Sequence, residues 1–118
     1  MKENIALEKS KIFAVRIVNL YRFLCDTKKE YVLSKQLLRS GTSIGANLSE
    51  SACAISKKDF ASKIYIALKE CSETAYWLEL LYKTEYLSED QYQSIDSDCR
   101  ELLKILMATT KSISRSEL

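Results

Sequence analysis

The sequence predicts an all-α fold, an antiparallel up-down-up-down four-helix bundle, and three observations carry the prediction. There is no Pro and only two Gly, with 47% hydrophobic and 29% charged residues. That is too apolar for disorder and too poor in turn formers for a many-stranded β fold. Four segments repeat apolar residues at helical spacing while polar residues hold another face. The connections between them are only a few residues long, which forces successive helices antiparallel. A chain of 118 residues has room for one core, so residues 1–118 are read as a single domain.

The first helix is expected from Ile5 to about Lys28. Phe13, Ile17, Leu20, Tyr21 and Leu24 recur at short helical steps, and Arg16, Asn19, Arg22 and Asp26 occupy another face. The second runs from about Tyr31 to Ala54, because Leu33, Leu37, Gly41, Ile44, Leu48 and Ala52 keep a helical stride through both glycines. The third opens at Ser56, which with Asp59 resembles a capping box in which Asp replaces the usual Glu or Gln. Its stripe is Phe60, Ile64, Ala67, Cys71, Ala75, Leu78 and Tyr82, ending near Tyr86. Ser88 and Gln91 form a second box. It opens a fourth helix whose stripe is Ile95, Cys99, Leu102, Leu106 and Ile113.

The stretch LRSGTSIGANLSESACA, residues 38–54, has the look of a phosphate-cradling loop. Its chemistry fails on spacing: a P-loop needs G-x-x-x-x-G-K-[ST] after a strand, whereas here G-x-x-x-G has no following Lys and no strand before it. Small side chains inside a helix let a neighbouring backbone approach closely, against a helix-propensity cost of about 1 kcal/mol per glycine. The same helix carries Arg39, Ser43, Asn47 and Glu50 on one face, away from the Leu37/Ile44/Leu48 stripe. Two readings stand: a solvated face with an Arg39–Ser43–Asn47 hydrogen-bond ladder, or a polar seam shared with another chain or a ligand.

Those residues carry a resemblance. Arg39 and the run Ser43-Ile44-Gly45-Ala46-Asn47-Leu48-Ser49-Glu50, followed by KKDFASKIYIALKECSETAYWLELL over residues 57–81, resemble the bacterial four-helix bundle family first noticed as proteins encoded in intervening sequences of 23S ribosomal RNA genes. The likeness covers nearly the whole chain. Ser51 departs from it, since many members have Gly after the Glu, and a longer second helix is the expected consequence. The resemblance implies a left-handed bundle that assembles into a ring, commonly a pentamer, and a nucleic-acid-linked role without an established activity. A similar fold serves as the accessory protein of diversity-generating retroelements, where a pentameric barrel binds reverse transcriptase and nucleic acid.

Charge speaks weakly for nucleic acid. The net charge is only +2, below the usual basic footprint of a dedicated binder. Residues 1–39 nevertheless hold nine Lys/Arg against four Asp/Glu, while residues 87–118 hold four against six, and a ring multiplies any basic rim by its copy number. Lys9, Arg16 and Lys35 are the candidate contacts with RNA or DNA. Ordinary solvated faces, with opposite charges nearby, are the alternative.

An enzyme is not expected. The chain has no His, and the best carboxylate pair, Glu70 and Glu73, lacks the Glu-x-x-His partner of di-iron bundles. Lys69 offers Glu73 an ordinary ion-pair partner. Cys25, Cys53, Cys71 and Cys99 are separated by 28, 18 and 28 residues with no C-x-x-C pair, so reduced thiols are expected rather than disulfides or a zinc site. No metal or other cofactor is expected. No apolar run reaches the roughly 18 residues of a membrane span, and MKENIALEKSKIF has charges where a signal peptide would be apolar. A cytoplasmic protein without a membrane partner is the expectation.

The third helix has more apolar surface than one core needs. Ile66, Trp77 and Leu80 share a second face with Glu73, flanked by Tyr65 and Tyr76. A patch of that kind marks an interface. The expected partner is the chain itself, in a homo-oligomeric ring with a pentamer favoured by the resemblance, Ile66 and Trp77 buried between copies and the Arg39 seam close by. A nucleic-acid enzyme is the further candidate partner, and a ring that engages only protein is the alternative. In a second arrangement Trp77 folds over the edge of its own bundle.

Overall fold

A computed structural model describes residues 4–116. It comprises α1 (Ile5–Asp26), α2 (Leu33–Ser51), α3 (Lys57–Lys83) and α4 (Glu89–Ser116), in a body of 47 × 23 × 21 Å. Cross-helix contacts establish the directions. Ile17 lies against Gly41 and Ser10 against Gly45; Arg39 meets Glu70 while Glu50 meets Lys63. Tyr65 reaches Thr110 and Cys71 reaches Cys99, and Lys9 meets Glu101 while Arg16 meets Asp98. In every pair the numbers rise on one helix as they fall on the other, so each helix runs antiparallel to its neighbours.

The predicted stripes form the core. Phe13, Ile17, Leu24, Leu37, Ile44, Leu48, Ile64, Leu78, Leu102 and Leu106 are buried together with Cys71 and Cys99. At 25 cal/mol per Å² each such large side chain contributes about 1.5–3 kcal/mol on leaving water. Leu20 and Tyr21 are only half-buried. Phe60 departs from the expected stripe: it remains 39% exposed because it sits at the open end of the bundle.

Both glycines are internal to α2, as the stride predicts, and both serve the α1 contact. A Cβ on Gly41 would lie 2.8 Å from Ile17 Cγ1 and Cγ2, and one on Gly45 would lie 3.0 Å from Ser10 Oγ. On the opposite side of α2, Thr74 Oγ1 of α3 stands 2.9 Å from Ser40 Oγ, both buried. Small residues therefore let α2 pack closely on two neighbours.

Helix ends follow local chemistry. Ser56 Oγ accepts from Asp59 N–H at 3.0 Å, while the Asp59 carboxylate accepts from Ile55 N–H rather than from Ser56. Asp is shorter than the usual Glu, and its partner is one residue further back. Ser88 and Gln91 form the full reciprocal box, at 3.1 and 2.9 Å. The first two connections differ from expectation. α1 stops at Asp26 because Lys29 takes a left-handed conformation (φ 56°), and Glu30 N–H turns back to the Leu24 carbonyl. α3 stops at Lys83, with Glu85 left-handed (φ 69°) and Tyr86 N–H bonded to the Leu81 carbonyl. α2 ends at Ser51 rather than extending to Ala54.

Candidate functional site

The polar face of α2 runs along the groove it forms with α3. Ser43 Oγ donates to the Arg39 carbonyl at 2.6 Å and Asn47 Nδ2 to the Ser43 carbonyl at 2.8 Å. This is the expected ladder, each rung satisfied by the backbone one turn earlier. Glu50, at the end of the face, pairs with Lys63 of α3 at 2.7 Å. That hydrogen bond and the Glu50 charge raise the Lys63 pKa above its ordinary value.

Arg39 is the centre of the seam. Its guanidinium forks across the groove, Nη1 to Glu70 Oε1 at 3.2 Å and Nη2 to Glu73 Oε2. Glu73 Oε2 also accepts the indole N–H of Trp77 at 2.9 Å. One carboxylate thus links an arginine of α2 to the single tryptophan of the chain. Arg39, rather than Lys69, supplies the partner of Glu73. Glu70 is held by the same guanidinium, so the carboxylate pair weighed as an acid–base candidate is an ion-paired cluster. Helical periodicity shows Glu70 and Glu73 as neighbours, whereas their contact with Arg39 depends on the register across the short 52–56 connection.

Trp77 is half-buried and packs against the core; its ring meets Tyr76 edge-on at 5.0 Å. Leu80 beside it is half-buried too. Ile66 is 36% exposed, with Tyr65 and Tyr76 also exposed. The register that opposes Glu50 to Lys63 brings Asn47 level with Ile66. All eight residues singled out on α2 and α3 therefore border one continuous surface, polar on the α2 bank and apolar with two acids on the α3 bank.

The candidate nucleic-acid contacts are not brought to that surface. Lys9 Nζ pairs with Glu101 at 3.2 Å. Arg16 Nη1 pairs with Asp98 at 2.7 Å and donates to the Ser94 carbonyl, and its Nη2 donates to Ser94 Oγ at 2.8 Å. Both stand in the α1–α4 groove. Lys35 is exposed on α2 with no ion pair among the described residues. Among those residues no cluster of three or more Cys, Asp or Glu could hold a metal ion, and no helix is long and apolar enough to cross a membrane. All four cysteines are free thiols: Cys71 and Cys99 are buried, Cys25 is half-buried and Cys53 exposed.

Comparison with known proteins accords with this architecture. A solved crystal structure of a protein of unknown function from the S23 ribosomal protein family, from Bacteroides thetaiotaomicron, is 56% identical. The match covers 91% of this chain and 99% of that one, with a TM-score of 0.89. No curated protein matches. The model of the 23S rRNA-intervening sequence protein family matches residues 2–108, and the chain belongs to that family.

Proposed function

We propose that the protein is a non-enzymatic scaffold that assembles into a homo-oligomeric ring, pentamer favoured, and engages nucleic acid or a nucleic-acid enzyme. The observation that carries the assembly is the α2–α3 surface, where Ile66 and Tyr76 stay exposed beside a half-buried Trp77. An apolar patch edged by fixed polar groups has the composition of an interface. The Arg39–Glu73–Trp77 chain holds the indole in place before a partner arrives, which lowers the side-chain ordering cost of association. Cytoplasmic residence goes with this reading, since all four cysteines are free thiols.

Light scattering after size exclusion tests the assembly. Ile66→Glu with Trp77→Ala should yield a helical but smaller species; a wild-type monomer at micromolar concentration overturns the proposal. For the nucleic-acid arm, binding to a structured RNA should fall steeply with salt, because neutralised phosphates release counterions. It should weaken when Lys9, Arg16 and Lys35 are all changed to Glu. A ring that engages only protein is favoured by a separate observation: Glu101 and Asp98 already neutralise Lys9 and Arg16. RNA affinity that is absent, or indifferent to salt, selects that reading.

A further inference from the structure

The helices do not end at one level. Lys9 is opposite Glu101, so the start of α1 at Ile5 lies beside Ile105, and both line one cleft. α4 continues through residues 106–116, about 16 Å further at 1.5 Å per residue. α3 begins alongside that extension at Lys57, and α2 has stopped at Ser51. The final turns of α4 and the first of α3 therefore form a two-helix ledge. The space another helix would occupy is a cleft of about 650 Å³ lined by Ser51, Ala54, Ile55, Lys57, Phe60 and Ile113. Ile55, in the turn before α3, is 94% exposed and Phe60 39%. Four cations flank this apolar floor: Lys57 and Lys58 in the first turn of α3, Lys111 and Arg115 in the last turns of α4, all exposed. None makes an ion pair among the described residues, while the nearby acids are engaged, Glu50 by Lys63 and Asp59 by the Ile55 N–H.

We infer that this ledge is a docking site for an acidic amphipathic helix of a partner protein, laid along the ledge where the bundle lacks a covering helix, with apolar side chains on Ile55 and Phe60 and carboxylates on the four cations. The charge selects the occupant. A second copy of this chain would bring the same four cations to the contact, and like charges opposed across an interface are costly. RNA matches the cations but leaves the apolar floor unfilled, whereas an amphipathic helix fills a groove of this shape through anchors spaced three and four residues apart. The site is at the end of the bundle, apart from the α2–α3 surface, so it does not depend on the ring.

The probe is a fluorescein-labelled helix-forming peptide of about 14 residues, close to four turns, with Leu on one stripe and Glu elsewhere. Its control replaces every Glu with Lys. Fluorescence anisotropy should show saturable binding of the Glu peptide alone, weakened about tenfold by Ile55→Ser, the loss expected of an apolar anchor. Lys57→Glu with Lys58→Glu should reverse the preference towards the Lys peptide. Ile55 is too exposed for its replacement to disturb the core, and circular dichroism verifies that each variant folds. Absence of binding, or binding indifferent to both variants, overturns the inference. So does a Glu peptide that fails where single-stranded RNA or phosphatidylserine vesicles bind in a manner sensitive to these substitutions.

Discussion

Glu30 starts a helix that has no side-chain cap of its own. The N-cap position of α2 is Val32, which offers no acceptor. The Glu30 carboxylate, two residues upstream and buried, accepts instead from the N–H groups of Val32, Leu33 and Ser34 at 3.1, 3.0 and 2.7 Å. Burial pushes its pKa up, but the three backbone bonds outweigh burial and the net shift is downward. A carboxylate with a depressed folded-state pKa contributes stability above its unfolded value, and the contribution is lost as pH falls through the folded value. Glu30→Gln should therefore cost about 1–2 kcal/mol near neutrality. It should also flatten the loss of stability of the wild type below about pH 4.3, the unperturbed Glu value. Urea denaturation at pH 7 and pH 3 measures both; an unchanged midpoint at pH 7 refutes the role.

The contacts between elements are set by small residues on one side of α2 and charges on another. Gly41→Ala gains about 1 kcal/mol of helix propensity. The new methyl, however, lies 2.8 Å from both γ carbons of Ile17, and a β-branched side chain cannot turn both away. Overpacking of this kind costs about 1–3 kcal/mol, so a net loss of about 1–2 kcal/mol is expected. Combining it with Ile17→Ala should give less than the sum of the single losses, and a double-mutant cycle reads that coupling. Across the other groove, Arg39→Ala leaves Glu70 and Glu73 as like charges three residues apart. Their side chains are partly exposed, so the cost should stay below about 1 kcal/mol. Fluorescence is the sharper readout. Trp77 is the only tryptophan and its indole bonds to Glu73, so freeing Glu73 should shift its emission while the melting temperature hardly moves.

For the whole molecule, cysteine accessibility grades stability from surface to core. Cys53 is exposed, Cys25 half-buried, and Cys71 and Cys99 face each other across α3 and α4 with no exposure. Each of these thiols donates to the other's carbonyl, at 3.5 and 3.6 Å. The hydrogen bond to Cys71, then burial, pushes the Cys99 thiol far above its ordinary range. Since the thiolate is the reactive form, a thiol reagent at pH 8 should modify Cys53 at once and Cys25 more slowly. Cys71 and Cys99 should react only at the rate of unfolding, in one phase that urea accelerates. Early modification of either buried thiol would show that α4 separates from α3 without global unfolding.

The number of helices, their stripes, two of their caps and the internal glycines are legible along the chain, because helices form through bonds four residues apart and a 3.6-residue period selects one face. The polar face from Arg39 to Glu50 and the second apolar face of α3 were legible for the same reason. Turns without Gly or Pro were not. Lys29 and Glu85 adopt left-handed conformations that neither residue type signals, so the expected helices overran. Nor could periodicity show that Arg39 meets Glu73, that Lys9 and Arg16 are neutralised by α4, or that Phe60 lies beyond the reach of α1. Those facts follow from register and from where each helix stops, which only the packing of all four decides: contacts between residues up to 92 positions apart have no local pattern to announce them.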